Sequence, residues 1–357
     1  AIDLEADSLH SYHEKVCLAQ FTTPGGNVVL DPLRCRDAFA GLGATLADPS
    51  ILKVAHGADY DVRLLKKDFD FRVANLFDTM IAAQFTGREQ VGLAALLLEF
   101  FGVTLDKRYQ RADWSARPLP PELLAYAALD TAHLFGLRDR LEAELAELGR
   151  RHWAQEEFDL LAAVTPGPPR KPWCLDVKGA GRLPPRELAV LQGLLELRDE
   201  VARERDRPPF KVMGNDVLLR WAETPPATRR DVLETPGVPK PVLDRLEPKI
   251  LEAVRVARAL PLAECPRLPE SRFVPMTGSQ ERRLKRLKAA RQAASERLKL
   301  AAGLLVNSAT LERLARMEPA EALAALPSAL KRWQREALGD ALGEALTPSA
   351  SSPPAEE

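Results

Sequence analysis

The chain has 357 residues, of which 46% are hydrophobic and 28% are charged, and this composition is typical of a globular protein with two or three domains. The formal net charge is -1, and the four cysteines are scattered without a CxxC pair. That spacing disfavours both a zinc site and a disulfide framework, and it suits a reducing compartment. No apolar run is long enough to cross a bilayer and no signal peptide is present, so we expect no membrane association.

The first part of the chain alternates between strand and helix patterns. It begins without Met inside an apparent strand, and we therefore expect N-terminal residues to be missing. Short apolar runs separated by turn residues predict a three-stranded antiparallel meander over residues 2–30. Strands then alternate with helices, which predicts an α/β domain. After the meander we expect helices at 34–46, 80–85, 92–101 and 122–148, with short strands at 51–55 and 75–77. Residues 56–61 should open one more helix, with Val62, Leu64 and Leu65 on its apolar face.

Beyond residue 165 the pattern is helical throughout. Two proline-rich joints interrupt it, and proline-rich segments of this kind are typical of linkers. The tail consists of Ser, Pro, Ala and Glu, which predicts disorder. The predicted divisions are an α/β domain (1–164), a linker (165–183), a first helical domain (184–260), a second linker (261–276), a second helical domain (277–346) and a disordered tail (347–357).

Acidic residues in three elements of the α/β domain indicate an active site. Asp3 and Glu5 alternate with apolar residues in the first strand, so both carboxylates face one side, where like charges repel. An exposed edge strand would explain that pair alone. Asp61 lies at the start of a helix, and Asp130 lies one turn after Tyr126, so these last two side chains share a helix face.

Four carboxylates and one phenol suit the hydrolysis of a phosphodiester by two metal ions. Two ions about 4 Å apart bind the attacking and the leaving oxygen in such sites. Oxygen ligands select Mg²⁺ or Mn²⁺, whereas the lack of clustered His and Cys disfavours zinc. A tyrosine next to the last aspartate would orient the attacking water.

Three segments carry a resemblance to a known superfamily. Residues 3–5, 56–61 and 126–130 resemble the three exonuclease motifs of the DEDD superfamily, and Ala125 rather than His before the last motif indicates its tyrosine subclass. Residues 113–119 (DWSARPL) are similar to ribonuclease D and to the related nuclear exosome exonuclease. The resemblance implies an RNase H-like, DnaQ-type α/β domain with a mixed sheet. It also implies a set of metal ligands together with a water-positioning tyrosine. The implied ligands are Asp3, Glu5, Asp61 and Asp130, and the implied tyrosine is Tyr126.

Three polar residues near these motifs have alternative interpretations. His56 would act as a general base or, as we expect, form a structural hydrogen bond at the end of a strand. We interpret Asp59 as a helix N-cap rather than a ligand, and we interpret Asp78, before Thr79, in the same way.

Two groups of side chains are candidates for contact with a nucleic acid. The first mixes cations with aromatic rings, which suits the stacking and phosphate contacts of a single strand, although solvated charges around a core tryptophan would give the same pattern. Its members are His56, Arg108, Tyr109, Arg111, Trp114 and Arg117. The second lies in the basic helix at residues 280–299, where a solvated face is the alternative. Its members are Arg282, Arg283, Lys285 and Arg286.

Residues 194–198 and 208–213 with Leu218 in the first helical domain resemble HRDC domains closely, whereas Trp333-Gln334 supports the same resemblance only moderately for the second helical domain. The resemblances together imply a monomeric 3′→5′ exoribonuclease that acts on single-stranded 3′ ends of RNA, with tRNA precursors as the expected substrate and a cytoplasmic location, or a nuclear one in a eukaryote. A DNA exonuclease on the same fold and a non-catalytic nucleic-acid-binding scaffold are the alternatives. A helicase is excluded because no Gly-rich loop ending in Gly-Lys-Ser/Thr is present. We expect deletion beyond about Pro261 to spare the cleavage of very short oligonucleotides.

Overall fold

The computed structural model describes residues 1–106, 108–109, 111–168, 171–269 and 274–347. The strands are Ile2–Ala6 (β1), Val16–Thr23 (β2), Gly26–Leu30 (β3), Lys53–Ala55 (β4) and Leu76–Asp78 (β5). The helices up to residue 162 are Arg36–Ala40 (α1), Gly43–Ala47 (α2), Asp59–Phe69 (α3), Thr79–Phe85 (α4), Leu93–Phe101 (α5), Pro121–Ala132 (α6), Leu134–Glu147 (α7) and Arg151–Ala162 (α8). The later helices are Pro185–Glu204 (α9), Pro209–Val212 (α10), Asn215–Glu223 (α11), Arg229–Leu233 (α12), Lys240–Ala259 (α13), Gly278–Leu298 (α14), Ala302–Leu305 (α15), Ser308–Arg316 (α16), Pro319–Ala329 (α17) and Arg332–Leu346 (α18).

The predicted meander is present as an antiparallel sheet in the order β1-β2-β3, and β4 and β5 form a separate parallel pair beside β1. Ile2 and Leu4 are buried in the core on one side of β1. Asp3 and Glu5 therefore face the other side, which helix α6 covers. The predicted fold class, an α/β domain with parallel and antiparallel strands followed by helices, is confirmed.

Two predicted helices are each divided in the structure. The helix expected at 34–46 is the pair α1 and α2. The helix expected at 122–148 ends at Ala132 and resumes at Leu134. The two halves of the second one pack into different cores, since Leu123 of α6 contacts the core around Trp114 whereas Leu137 of α7 contacts the core around Phe85. A single straight helix could not direct both Leu123 and Leu137 into their respective cores.

The first helical block, which we define as residues 174–265, has a core of its own. Leu191 and Leu194 of α9, Trp221 of α11 and Ile250 of α13 are buried together in it. The predicted linker at 165–183 is partly wrong in structural terms, because Cys174, Val177, Ala180 and Leu183 are buried in this core. Short 3₁₀ turns at Cys174–Asp176 and Ala180–Arg182 bring them there.

The second helical block, residues 277–346, shares its core with the α/β domain. The ring of Trp333 lies 4.8 Å from that of Phe85 and 5.8 Å from that of Trp153, centroid to centroid. One continuous buried cluster contains all three rings together with apolar residues of α7, α14 and α18. Within the described residues, none of the helices combines the length and the apolar character that a membrane span requires. The tail predicted at 347–357 lies outside the described residues except for Thr347.

Candidate active site

Three of the predicted carboxylates converge between β1 and α6. Asp3, Glu5 and Asp130 each have an oxygen atom within 4.8 Å of the others. The hydroxyls of Thr22 on β2 and Thr131 on α6 are hydrogen-bonded at 2.8 Å, which fixes the helix against the sheet next to Asp130. The strand alternation and the helix position together create this cluster.

Asp61 enters the site from α3, outside that group of three. The chain turns into α3 at Gly57, whose φ is 67°, and a Cβ there would lie 2.9 Å from the Met80 methyl group. The positive φ favours glycine at this turn. Asp61 is close enough to raise the pKa of Asp3 by repulsion, after burial, which is the largest cause. Burial and the charge of Asp78 raise the pKa of Asp61 itself to about 7.

All four carboxylates resist ionisation, because their pKa values are raised. Burial is the main cause for each of them, and mutual repulsion adds to it for Asp3 and Glu5. The pKa of Glu5 rises to about 8 and that of Asp130 to about 6. No described lysine or arginine is among the causes that act on these four groups. Half-buried carboxylates without a compensating cation, at this density of oxygen donors, fit a site for hard divalent cations.

Gln20 is a further polar residue on this face of the sheet, outside the set of predicted site residues. It pairs with Asp3 across β1 and β2, and its side chain is fully buried. Neither the oxygen nor the nitrogen of its amide has a hydrogen-bond partner among the described residues. A buried amide without partners is costly, so this amide next to Asp3 fits a site that takes a further group. The signal in the sequence is a single amide between the apolar residues Ala19 and Phe21 of a strand.

The Tyr126 ring is held between two other aromatic rings. Trp114 stacks on it with centroids 6.2 Å apart, and Tyr109 contacts it edge-on at 5.7 Å. Burial raises the pKa of Tyr126, and the charges of Asp130, Glu5 and Asp3 raise it further. The hydroxyl therefore lies near the carboxylates and stays protonated at neutral pH, so that it can donate a hydrogen bond there.

The three residues with alternative interpretations have structural roles. The Thr79 hydroxyl donates to the Ala55 carbonyl at 3.0 Å, so His56 Nδ1 donates to Thr79 Oγ1 at 2.9 Å. The structural hydrogen bond expected for His56 is confirmed. Asp78 caps α4 as predicted, accepting from the backbone N–H groups of the first turn. The N-cap expected at Asp59 is wrong, because this side chain instead pairs with Arg63 at 2.8 Å.

The candidate contacts near the last motif divide into buried and exposed residues. Trp114 is only 2% exposed, and Arg117 pairs with Asp31, so neither offers a free group to a nucleic acid. Arg108 and Arg111 are exposed, although Arg108 pairs with Asp106 at 2.6 Å. The interpretation of Trp114 and Arg117 as nucleic-acid contacts is therefore not supported by their surroundings.

The candidate cations of the basic helix α14 also fall into two groups, one bonded within the protein and one exposed. Arg283 is 8% exposed and donates to the carbonyl of Ala315 at the end of α16. Arg286 donates to the carbonyl of Ala345 in α18 at 3.0 Å. These two guanidinium groups therefore satisfy carbonyls at helix ends. Arg282 and Lys285 are exposed and stay candidates for phosphate contact.

With this geometry in hand, comparison with known proteins identifies the family. Residues 1–146 match the family model of a 3′-5′ exonuclease, and residues 187–254 match that of an HRDC domain. The chain is 33% identical to ribonuclease D of Granulibacter bethesdensis, over 96% of this chain and 86% of the other. The chain belongs to the ribonuclease D family.

Two further similarities agree with this assignment. The crystal structure of Escherichia coli RNase D, described as an exoribonuclease involved in structured RNA processing, superposes with a TM-score of 0.69 and 28% identity, covering 97% of this chain and 92% of the other. Exosome complex component 10 homolog of Caenorhabditis elegans is 37% identical to this chain over 65% of the chain's length. The chain spans only 27% of the length of that longer relative.

Proposed function

We propose that this protein is a 3′→5′ exoribonuclease that hydrolyses the terminal phosphodiester of an RNA strand with two divalent metal ions. The observation that carries the proposal is the cluster of Asp3, Glu5 and Asp130, with oxygen atoms within 4.8 Å of one another and raised pKa values. Asp61 would complete the ligand set from α3. Bound Mg²⁺ or Mn²⁺ would supply Lewis-acid stabilisation of the charge that develops on the phosphate.

The side chains of the chain itself have distinct roles in this proposal. The four carboxylates would bind and orient the metal ions, and the protonated Tyr126 hydroxyl holds the attacking water by a hydrogen bond. Cleavage from the 3′ end would release nucleoside 5′-monophosphates. RNA is favoured over DNA because the relatives with matching length are ribonucleases D. The proposed substrates are structured RNAs with single-stranded 3′ ends, such as tRNA precursors. The enzyme would act as a monomer. Such substrates would place it in the cytoplasm or, in a eukaryote, in the nucleus.

The test uses a short RNA with a 5′ label and the same sequence as DNA. With Mg²⁺ or Mn²⁺ we expect the labelled RNA to shorten stepwise from its 3′ end, and EDTA should stop the reaction. Asp130→Asn should lower kcat by a factor on the order of 100 or more, because a ligand that stabilises transition-state charge is lost. Asp139→Asn is the matched control, since this exposed aspartate on α7 makes the same chemical change outside the site.

The outcomes separate the alternatives. Activity that persists in EDTA, or in Asp130→Asn at the wild-type rate, contradicts the two-metal site. Equal or faster digestion of the DNA strand would favour the DNA exonuclease. Binding of RNA without any cleavage under these conditions would favour the non-catalytic scaffold.

A further inference from the structure

All five N–H donors of the Arg117 guanidinium are used within the protein. Nε and Nη2 donate to the two carboxylate oxygens of Asp31 at 2.7 and 2.9 Å. Nη1 donates to the carbonyls of Trp114 and Ala116, both at 2.7 Å, and the second Nη2 hydrogen goes to the Cys17 carbonyl at 2.8 Å. Because guanidinium has only five donors, none is left for a phosphate.

These contacts join three separate parts of the α/β domain. Asp31 follows β3 directly, Cys17 lies on β2, and Trp114 lies in the segment that precedes α6. Arg117 therefore fastens this segment to the same sheet whose first strand carries Asp3 and Glu5. The pairing with Asp31 is bidentate, which fixes direction as well as distance.

Trp114 contacts both Arg117 and Tyr126. Its ring is buried with Leu18 of β2 and with Leu123 and Ala127 of α6, and it stacks on the Tyr126 ring at an interplanar angle of 28°. The Trp114 carbonyl accepts directly from Arg117. Any shift of this segment would move the surface on which the tyrosine ring rests.

We propose that Arg117 and Asp31 are positioning residues of the reaction, which hold Trp114 against Tyr126 and thereby fix the Tyr126 hydroxyl relative to the carboxylates. This inference rests on the proposed function, in which that hydroxyl orients the attacking water. A displacement of about 1 Å at a reacting group is sufficient to lower a rate by about 100-fold. The effect therefore falls on turnover, and the affinity for RNA stays the same.

The test is a double-mutant cycle on Arg117 and Tyr126. Arg117→Lys keeps the charge but cannot form the bidentate pair or fill all five bonds. We expect kcat on a short RNA to fall by roughly 10- to 100-fold with KM changed less than about 2-fold. In the Tyr126→Phe background, Arg117→Lys should lower kcat by no more than about 2-fold further, because the group that it positions is already absent.

Two further variants separate positioning from general loss of stability. Asp31→Asn removes the charge of the partner at nearly constant shape, and it should show the same dependence on Tyr126 with a smaller effect. Phe39→Leu is the matched control, because Phe39 is buried in the core on the opposite side of the sheet. It should lower Tm and leave kcat and KM unchanged below Tm.

Three results would overturn the inference. Effects of Arg117→Lys and Tyr126→Phe that multiply would show that Arg117 acts independently of Tyr126. A raised KM with unaltered kcat would make Arg117 an RNA contact. Full activity of Tyr126→Phe would show that the Tyr126 hydroxyl has no role in the reaction, so that there is no group for Arg117 to position. The proposed exonuclease activity would still stand in that case if Asp130→Asn is inactive.

Discussion

The first and second helical blocks attach to the α/β domain in different ways. The first block has its own core and meets the loop between β1 and β2 through polar contacts. The Tyr12 hydroxyl donates to Asp199 at 2.8 Å, and the backbone N–H groups of Tyr12 and His13 donate to Asp206 at 3.0 and 3.2 Å. The first block and the α/β domain therefore bury their apolar residues in separate cores. Among the described residues of the α/β domain, the Tyr12 ring is the exception, because it packs against the core of the first block.

The second block is joined to the α/β domain by buried contacts. The Arg150 guanidinium donates to the carbonyl of Phe85, the last residue of α4, and to that of Leu298, the last residue of α14. Glu156 accepts from the first backbone N–H groups of α18, and so caps that helix from the α/β domain. At Gly87, where φ is 89°, a Cβ would lie 2.6 Å from the Lys299 carbonyl oxygen, so only glycine allows this approach.

The two helical blocks have similar sequence patterns, yet only the second one needs the α/β domain to complete its core. The first block, which matches the HRDC family, is expected to fold as a module. The second block supplies one half of a core whose other half is the exonuclease domain. The shared core reverses the expectation that deletion beyond Pro261 leaves short-substrate cleavage intact.

Deletion of residues 274–357 should have the largest effect. It would expose Phe85 and Trp153 to water and leave the Arg150 guanidinium without one carbonyl, so we expect an aggregated protein that cleaves no RNA of any length. The measurement is size-exclusion chromatography together with cleavage of a short oligonucleotide. Residues 172–268 expressed alone should by contrast give a helical circular dichroism spectrum and a cooperative thermal transition. A soluble, active deletion protein would contradict the comparison.

A matched pair of tryptophan variants should give the next largest effect. Trp333 and Trp221 are 1% and 3% exposed, so both Trp→Ala changes create a cavity in a core. Each should cost about 3–5 kcal/mol of the free energy of unfolding of its own core. We expect Trp333→Ala to abolish cleavage of a short RNA at temperatures where Trp221→Ala still cleaves it. Equal losses of activity would mean that the blocks are equally coupled to the active site.

The pH dependence of stability should distinguish the two blocks next. In the metal-free fold the pKa of Glu5 is about 8, of Asp61 about 7 and of Asp130 about 6, against ordinary values of 4.5 for Glu and 3.8 for Asp. The folded state therefore binds more protons than the unfolded state, and the free energy of unfolding of the unit that contains the second block should fall as pH rises from about 4 to 8.

Hydrogen exchange with mass spectrometry measures this effect separately in α18 and in α9. Adding Mg²⁺ at pH 8 should restore protection in α18, because a ligand that binds only the folded state stabilises it. Protection in α9 should stay constant in both experiments. Parallel changes in the two helices would show that the blocks unfold as one unit.

The polar interface of the first block should give the smallest effect. Tyr12→Phe removes one hydrogen bond to Asp199, and Asp206→Asn weakens two from backbone N–H groups. Because these groups are partly exposed, each change should cost only about 0.5–1.5 kcal/mol. We expect cleavage of a short RNA to be unchanged, while proteolysis between residues 164 and 168 becomes faster. A loss as large as that in Trp333→Ala would show that the docked first block also supports the active site.

Local patterns were sufficient to predict much of the site. The alternation around Asp3 and Glu5 predicts that both carboxylates share a strand face, and the spacing of Tyr126 and Asp130 predicts a shared helix face. Both geometries are present in the structure. They depend only on the strand period and the helix period, which the neighbouring residues determine. The helix cap at Asp78 is local for the same reason.

Tertiary structure alone decided which partner each face meets. Arg117 pairs with Asp31, 86 residues away, and Arg283 reaches a carbonyl 32 residues later, so no local pattern separates these arginines from exposed ones. The same holds for Trp333, because its local sequence pattern does not tell whether its ring packs within its own helical block or against Phe85 and Trp153. A sequence pattern specifies that a side chain is buried or that a donor needs an acceptor, whereas the long-range arrangement of the chain determines which group supplies it.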